Sequence, residues 1–218
     1  MMNSLVTSRE FVKFRVRTDR PEFIGRRFAK YLTSTVVDIG CDQAVIRKML
    51  GSDRYTGVGL TQESDVKLNL ESAGKLPFED RSFGTVLCLD TLEHLNNLHS
   101  MSNELFRIAR EHVIISLPNC WSQARRNIAR GSGSIWHYGL TPEPPPDRHK
   151  WFFNTEEACN FLSAQTKRAD RKVELLELVA LENRRPLINR MWRRVQHPSV
   201  RTYLNLYPQT VVAVYKVQ

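Results

Sequence analysis

Acidic and histidine side chains occur in two parts of the chain where they could support group transfer. Asp90 and His94 follow an apolar run, and His137 and His149 lie in or just beyond a segment rich in glycine and proline. A carboxylate or an imidazole can take a proton from an acceptor as it reacts. We therefore predict these four residues as candidate catalytic groups. The structural alternatives are a helix N-cap for Asp90 and a supporting role for each histidine.

A glycine turn at 36–44, with the sequence VVDIGCDQA, predicts a nucleotide site. Residues 36–39 are apolar apart from one acid and predict a strand, and residues 44–50 predict a helix that Gly51 ends. Open α/β folds bind nucleotides where a strand passes through a tight turn into a helix. Gly40 lets the backbone approach a ligand closely because it has no Cβ atom.

The elements that would hold these residues alternate between strands and helices. Apolar runs predict three further strands, at 55–60, 84–90 and 112–117. A helix containing residues 103–110 separates the last two of these strands. Such alternation is typical of the α/β class, with a mostly parallel sheet between helices on both faces. The final two strands, at 173–181 and 210–217, are expected to form an antiparallel pair.

The chain is expected to form one main domain with a cap and a lid. Residues 1–34 mix aromatic and basic side chains at helical spacing and predict an N-terminal helical cap. Residues 35–218 would form the main domain. Within it, glycines and prolines around an aromatic cluster predict a lid or insert near 120–150. Asn154 and Glu157 predict a capping box at the start of the next helix.

Composition limits the class of protein. The chain of 218 residues has a formal net charge of +9, which favours an acidic partner such as a nucleic acid, an anionic lipid or an anionic substrate. Its four cysteines are widely spaced and form no CxxC pair, so we predict neither a disulfide framework nor a metal site. The sequence has no apolar run long enough to span a membrane and no secretory signal at its start. We therefore expect a cytoplasmic protein.

The segment Arg184–Arg201 is basic and amphipathic. It carries six arginines and no acidic residue, interleaved with apolar residues that include Met191 and Trp192. Three interpretations are open: a solvated face, an interfacial helix on an anionic membrane, or a phosphate-binding patch for RNA. The apolar residues beside the arginines favour lipid over RNA. We therefore expect peripheral contact with the inner face of a membrane.

Three sequence blocks occur in an order that points to one family. They are VVDIGCDQA at 36–44, LPFEDRSFGTVLCLDTLEHL at 76–95 and HVIISLPN at 112–119. Together they resemble class I S-adenosylmethionine-dependent methyltransferases of the type 11 branch. The similarity covers roughly residues 35–120, and HKWFFNTEEA at 149–158 is similar to a feature near the end of the domain in that branch. The resemblance implies a Rossmann-like, seven-stranded, mostly parallel sheet whose last strand is antiparallel.

The resemblance also implies S-adenosylmethionine as the cofactor, bound across the carboxyl ends of the strands. Asp38 and Gly40 would lie against its methionine part, and Asp90 beside the sulfonium and the acceptor. Leu70 and Glu71 would lie near the adenine. The full set of cofactor-binding residues that the resemblance implies is Asp38, Gly40, Cys41, Asp42, Leu60, Thr61, Leu70, Glu71, Asp90, Thr91 and Leu92.

The sequence departs from the family pattern at two places. The usual turn is D-x-G-x-G-x-G, and here Asp42 and Ala44 stand at the second and third glycine positions. The acid that normally ends the second strand and binds the ribose hydroxyls is absent, with Leu60 in its place. Because each missing charge-assisted hydrogen bond costs about 1–3 kcal/mol, we expect weaker cofactor binding.

These observations predict an S-adenosylmethionine-dependent methyltransferase that acts on a small molecule. The basic segment and the aromatic residues of the predicted lid favour a hydroxyl or carboxylate on an anionic, lipid-linked or saccharide acceptor. Two alternatives stay open. The net charge would also suit an RNA methyltransferase, and the missing ribose acid would suit a non-catalytic S-adenosylmethionine-binding module.

Overall fold

A computed structural model describes residues 6–32, 34–143, 145, 147–169 and 171–218. Within these residues, eight strands form one sheet. In chain order, strands β1 to β8 are Ser8–Val12, Val36–Ile39, Tyr55–Gly59, Val66–Lys67, Phe83–Leu89, Ala109–Pro118, Val173–Asn183 and Thr210–Val217. Helices α1 to α7 are Asp19–Arg27, Arg47–Leu50, Leu98–Ile108, Cys120–Arg130, Thr155–Arg168, Leu187–Gln196 and Val200–Leu206.

The sheet has the strand order β1-β7-β8-β6-β5-β2-β3-β4. β8 runs antiparallel to both of its neighbours, β6 and β7, and the other described strand pairs are parallel. This confirms the α/β class and the predicted antiparallel last strand. The sheet has eight strands instead of the seven that the resemblance implies, because β1 adds an edge strand.

The additional strand comes from the N-terminal region, where a helix was predicted. Residues Ser8–Val12 pair in parallel with β7, and Phe11 lies opposite Glu182. The region is helical only later, in α1 and in the 3-10 helix Ala29–Tyr31. A run of five residues is too short for its spacing to separate a helix from a strand. The free edge of β7 decides the outcome, because its unpaired backbone groups can bind another strand.

Apolar layers cover both faces of the sheet. Val37 and Ile39 of β2 belong to a core that includes residues of α3 and α5, whereas Val36 belongs to a second core that includes Ile24 of α1. Successive side chains of a strand point to opposite faces, so a strand covered on both sides must be apolar at almost every position. This burial explains why the central strands could be predicted from their composition.

The segment between α4 and α5, which was predicted as a lid and keeps that name below, has no regular secondary structure in its described residues. Helix α5 begins at the predicted capping box, in which the Asn154 side chain accepts from the Glu157 N–H at 3.0 Å and Glu157 bonds in return to the Asn154 N–H. The predictions for residues 1–5, Pro144 and Pro146 lie outside the described residues. Among the described helices, none is long and apolar enough to cross a bilayer.

Candidate active site

The turn after β2 is built from three residues with left-handed backbone. Gly40 has a φ of +83°, and Asp42 and Ala44 have φ values of +43° and +46°. Because Ala44 lies in the turn, α2 starts at Arg47 and is shorter than predicted. A Cβ atom on Gly40 would lie 2.2 Å from Thr91 Oγ1. Glycine is therefore required here for close packing of the turn against the end of β5.

The Asp38 carboxylate is buried behind this turn, and the residue is only 5% exposed. Tyr55 donates its hydroxyl hydrogen to Asp38 Oδ2 over 2.7 Å. Burial raises the pKa of Asp38 to about 6, and the bond from Tyr55 opposes that shift. The N–H groups of Gly40 and Cys41 donate to the carbonyl of Val58. The turn is thus tied to β3 through its backbone, and the carboxylate is held separately by Tyr55.

The carboxyl end of β3 lies one residue earlier than the sequence suggested. β3 ends at Gly59, and Leu60 lies beyond it and is 68% exposed. The position at the strand end, where the ribose-binding acid is expected, is therefore Gly59. A Cβ atom on Gly59 would lie 3.8 Å from the Cys41 nitrogen and 4.0 Å from Gly40 Cα. A side chain at this position would start beside the glycine turn.

A cleft of about 490 Å³ opens over the carboxyl ends of β2, β3 and β5. Its volume is in the range of small-molecule sites, so the residues present fit a nucleotide-sized cofactor. A smaller space of about 100 Å³ adjoins the cleft at Gly40 and Asp90 and reaches Asp38, and we call it the inner extension of the cleft. Ten of the predicted cofactor-binding residues line the cleft or this inner extension: Asp38, Gly40, Cys41, Asp42, Leu60, Thr61, Leu70, Glu71, Asp90 and Thr91. Leu92 is the exception, because its side chain is fully buried in the core below.

Two of the predicted cofactor residues also hold the walls of the cleft together. Glu71 forms an ion pair with Lys150 at 2.6 Å and accepts from the Asn96 N–H at 3.0 Å. The bond from Lys150 lowers the pKa of Glu71. Thr61 donates to the carbonyl of Asp42 over 2.7 Å. The loop after β3 is therefore joined to the turn after β2, and Glu71 joins the cleft to the segment that follows the lid.

Two arginines from the N-terminal region close over the cleft. Arg20 forms an ion pair with Asp90. Arg17 lies 2.9 Å from Asp42 and 4.0 Å from Asp147, so it bridges the turn and the lid. Neither arginine can be identified from the sequence, because nothing in the basic N-terminal segment distinguishes them from their neighbours. Their role depends on contacts between residues far apart in the chain.

A second cavity of about 240 Å³ adjoins the cleft. The four predicted catalytic residues all line it, namely Asp90, His94, His137 and His149. The ring of His149 has its centroid 4.5 Å from that of His94 and 4.2 Å from that of His137. Asp90 and Arg17 line this cavity, the cleft and the inner extension of the cleft. These two residues therefore lie where the spaces meet.

Burial controls the charges of the second cavity. Glu93 also lines it and is only 1% exposed, a position that the sequence did not reveal. Burial raises the pKa of Glu93 well above its usual range, and the charge of Asp90 adds to the effect. Burial also lowers the pKa of His149 to about 3, with smaller contributions from His94 and His137. His149 is therefore neutral at physiological pH.

Comparison with known protein families connects this geometry to a reaction class. Residues 26–117 match the model of a family described as a methyltransferase domain. This part of the chain is therefore similar to methyltransferase domains of that family. This match confirms the resemblance that the three sequence blocks predicted, and it supports S-adenosylmethionine as the cofactor. A search of curated proteins gives no match.

Solved structures share the fold of this chain. An S-adenosylmethionine-dependent methyltransferase from Archaeoglobus fulgidus is 17% identical, with a TM-score of 0.56 over 93% of this chain and 96% of that chain. The methyltransferase domain of a bacterial protein, CtHen1-CN, is 16% identical, with a TM-score of 0.53 over 93% and 100% of the two chains. At these identities the likeness shows the fold alone.

The substitution Gly59→Asp tests whether the missing ribose acid belongs at the end of β3. We expect about tenfold tighter binding of S-adenosylmethionine in calorimetry, because one added charge-assisted hydrogen bond contributes about 1–3 kcal/mol. A Cβ atom there would lie 3.2 Å from Ser64 Oγ, which is closer than an ordinary contact, so the Ser64 hydroxyl must shift by a few tenths of an ångström to admit the side chain.

Leu60→Asp is the matched control for this prediction. Its side chain would start from an exposed position beyond the strand, so the dissociation constant should change less than about twofold. If Leu60→Asp binds S-adenosylmethionine more tightly and Gly59→Asp binds it no more tightly than the wild type, the structural assignment is contradicted. That result would support the position that the sequence suggested.

Proposed function

We propose that this protein transfers a methyl group from S-adenosylmethionine to an oxygen atom of a small anionic acceptor, a saccharide or a lipid-linked molecule. The observation that carries the proposal is the position of Asp90, which lines both the cofactor cleft and the adjoining cavity. A donor in the first space and an acceptor in the second would meet at the end of β5. In-line transfer requires this kind of contact between donor and acceptor.

Alignment and exclusion of water are the main tasks of such a site. When bound, S-adenosylmethionine would supply an electrophilic methyl group on a good leaving group, held by the turn after β2 and the loop after β3. The Asp90 carboxylate is fixed from two sides, by Arg20 and by Ser116 Oγ, which donates over 2.9 Å. The N-terminal segment that carries Arg17 and Arg20 covers the meeting point and would keep water from it.

The chemistry of the second cavity favours a hydroxylated acceptor. Two arginines, three histidines and three carboxylate residues line it, beside three apolar residues, Phe14, Val16 and Pro118. Saccharides present many hydroxyl groups that both donate and accept hydrogen bonds, so a mixed lining of donors and acceptors suits them. An apolar acceptor would leave these polar groups without partners.

Helix α6 gives reason to expect that the acceptor is at a membrane. Five apolar side chains on one side of this helix are 62–75% exposed: Leu187, Ile188, Met191, Trp192 and Val195. The arginines of the other side pack on the protein, with Arg190 3.6 Å from the centroid of the Phe11 ring and Arg193 4.4 Å from that of Tyr207. A helix that turns its apolar side to solvent is typical of a surface that binds another apolar phase.

The charges around α6 favour an anionic membrane as the partner. Arg184 and Arg185 precede the helix and are exposed. A cavity of about 290 Å³ beside α6 is lined by four arginines, Arg125, Arg126, Arg185 and Arg193. Among the described residues, the buried Nε of Arg125 has no hydrogen-bond partner. Such a cavity suits the phosphate of a lipid head group, and the four exposed aliphatic side chains of α6 suit the lipid interior better than RNA, on which they can neither stack nor pair with phosphate.

Two measurements test the proposed function. Calorimetry with S-adenosylmethionine should give one binding event in the wild type and, with lower affinity, in Asp90→Ala, because Asp90 also lines the cofactor cleft. Cell extract incubated with radiolabelled cofactor and wild-type protein should then incorporate label into the lipid or polar saccharide fraction, and Asp90→Ala should incorporate none. Label in the RNA fraction would indicate the RNA alternative. No heat and no thermal shift at millimolar cofactor would indicate a non-catalytic module.

A further inference from the structure

A cluster of histidine and carboxylate side chains in the wall of the second cavity has the composition of a metal site. Glu93 and His94 belong to the 3-10 helix Leu92–His94 after β5, and His149 comes from the segment before α5. One potential ligand atom from each lies within 4.8 Å of the others. Glu93 and His149 are buried, at 1% and 7% exposure. The three groups therefore share one enclosed space.

The distances in this cluster are close to those of a coordination sphere. His94 Nε2 lies 3.8 Å from Glu93 Oε1 and 3.4 Å from Asp147 Oδ1. Two ligand atoms that each lie about 2.0–2.2 Å from a tetrahedral ion are separated by about 3.4 Å. Small side-chain movements would thus be enough to bring these groups to one ion.

In both histidines a hydrogen bond involves Nδ1, so Nε2 is available to bind a metal ion. The Nδ1–H of His94 donates to the carbonyl of Arg148 over 3.0 Å, so Nε2 keeps its lone pair. The Tyr138 hydroxyl donates to Cys120 Sγ, and its oxygen can therefore accept from the Nδ1–H of His149, 2.6 Å away. A histidine that binds a metal usually donates its other N–H to a carbonyl or a similar partner, which fixes the ring.

Glu93 supplies an independent reason to expect a cation. Its Oε2 atom is buried and has no hydrogen-bond partner among the described residues. A buried polar atom without a partner costs about 1–3 kcal/mol, and more when it is charged. A bound cation would satisfy this oxygen.

We propose that Glu93, His94 and His149 bind one divalent transition-metal ion, with Zn²⁺ as the best match. Two imidazole nitrogens and one carboxylate form the ligand set of zinc sites that keep a coordination position open. Nitrogen-rich sets prefer Zn²⁺ over Mg²⁺ or Ca²⁺. These three residues line the cavity assigned to the acceptor, so a role for the ion in binding an acceptor oxygen would rest on the proposed function, whereas the site itself does not.

Calorimetry on protein dialysed against a chelator tests the site, with ZnCl₂ as the probe. We expect one equivalent of Zn²⁺ to bind to the wild type. Glu93→Gln and His94→Ala should each weaken binding more than about 100-fold, since even partners of metal ligands change affinity 10–100-fold. His99→Ala is the matched control, because His99 is an exposed histidine of α3 outside the cluster, and it should bind like the wild type.

Each result decides for or against the site. Wild-type protein that binds no Zn²⁺ would overturn the proposal, and the cluster would then be a hydrogen-bonded network that holds the lid. If Glu93→Gln and His94→Ala both bind Zn²⁺ as tightly as the wild type does, the ion binds elsewhere and the proposal is also overturned. His94 is partly exposed, so His94→Ala keeps the test valid if Glu93→Gln fails to fold. Calorimetry with S-adenosylmethionine on the same samples separates loss of the metal from failure of the proposed function.

Discussion

Replacing Asp38 with Asn should stabilise the protein by about 2–3 kcal/mol at pH 8 and by less than about 1 kcal/mol at pH 4. Burial raises the pKa of Asp38 to about 6 from its ordinary value of 3.8. The folded state therefore binds this proton more tightly than the unfolded state does. Ionising the buried carboxylate costs free energy, and Asn removes that cost while keeping an oxygen for the Tyr55 hydroxyl.

The two pKa values set the pH window of the effect. Below pH 3.8 Asp38 is protonated in both states, so the cost is absent, and above pH 6 the full cost is present. The free energy by which ionised Asp38 destabilises the folded protein therefore increases as the pH rises from 3.8 to 6. Urea unfolding of wild type and Asp38→Asn from pH 4 to pH 8 measures it, because other groups titrate alike in both proteins.

Asp42→Asn is the control for this prediction. Asp42 belongs to the same turn, but its side chain is 41% exposed and pairs with Arg17, so its loss should change stability by less than about 1 kcal/mol at any pH. A gain in Asp38→Asn that is equally large at pH 4 and pH 8 would contradict the argument, because it would not depend on ionisation. A charge kept in this costly place is typical of a functional site.

The sequence predicts the centre of the sheet well and its edges less well. β5 and the second half of β6 are buried on both faces, so their nearly continuous apolar composition is enough to identify them. β1 forms only because the edge of β7 has unpaired backbone groups to which it can hydrogen-bond. Its partner is more than 160 residues away in the chain, since Ser8 pairs with Val179. Local spacing contains no information about such a partner.

The same limit applies to the candidate active site. The turn around Gly40 and the histidines of the lid could be named, because turn chemistry is local and histidine is an uncommon residue with few roles. Arg20 could not be named, since its partner Asp90 lies 70 positions away in the sequence. Glu93 could not be named either, because its burial depends on packing against residues around Lys150, which follow it by more than 50 positions.

Replacing three apolar residues of α6 should release the protein from anionic vesicles. The triple variant carries Ile188→Ser, Met191→Ser and Val195→Ser. We expect its partition coefficient onto vesicles of mixed anionic and neutral lipid to be at least about 100-fold lower than that of the wild type. Each of these side chains is more than 60% exposed in the protein, so each can bury its surface in the membrane instead. Cosedimentation with vesicles over a range of salt concentrations measures the effect.

The choice of residues follows from the contacts of α6. Substituting Arg190 or Arg193 would confuse membrane binding with folding, because Arg190 packs on Phe11 and Arg193 binds the buried Glu182 at 3.0 Å. The exposed apolar side chains avoid this problem, and circular dichroism and thermal unfolding of the triple variant should match the wild type.

A matched triple variant separates the α6 surface from general surface apolarity. Met49→Ser, Leu60→Ser and Leu140→Ser remove three exposed apolar side chains elsewhere, and this variant should bind vesicles like the wild type. If the α6 variant binds vesicles as strongly as the wild type does, the membrane proposal is wrong.

A wild-type dimer that becomes a monomer in the α6 variant would identify a second copy of the chain as the partner. Salt-sensitive binding of RNA, unchanged in the α6 variant, would instead favour the nucleic-acid alternative, because phosphate contacts depend on charge and not on apolar area.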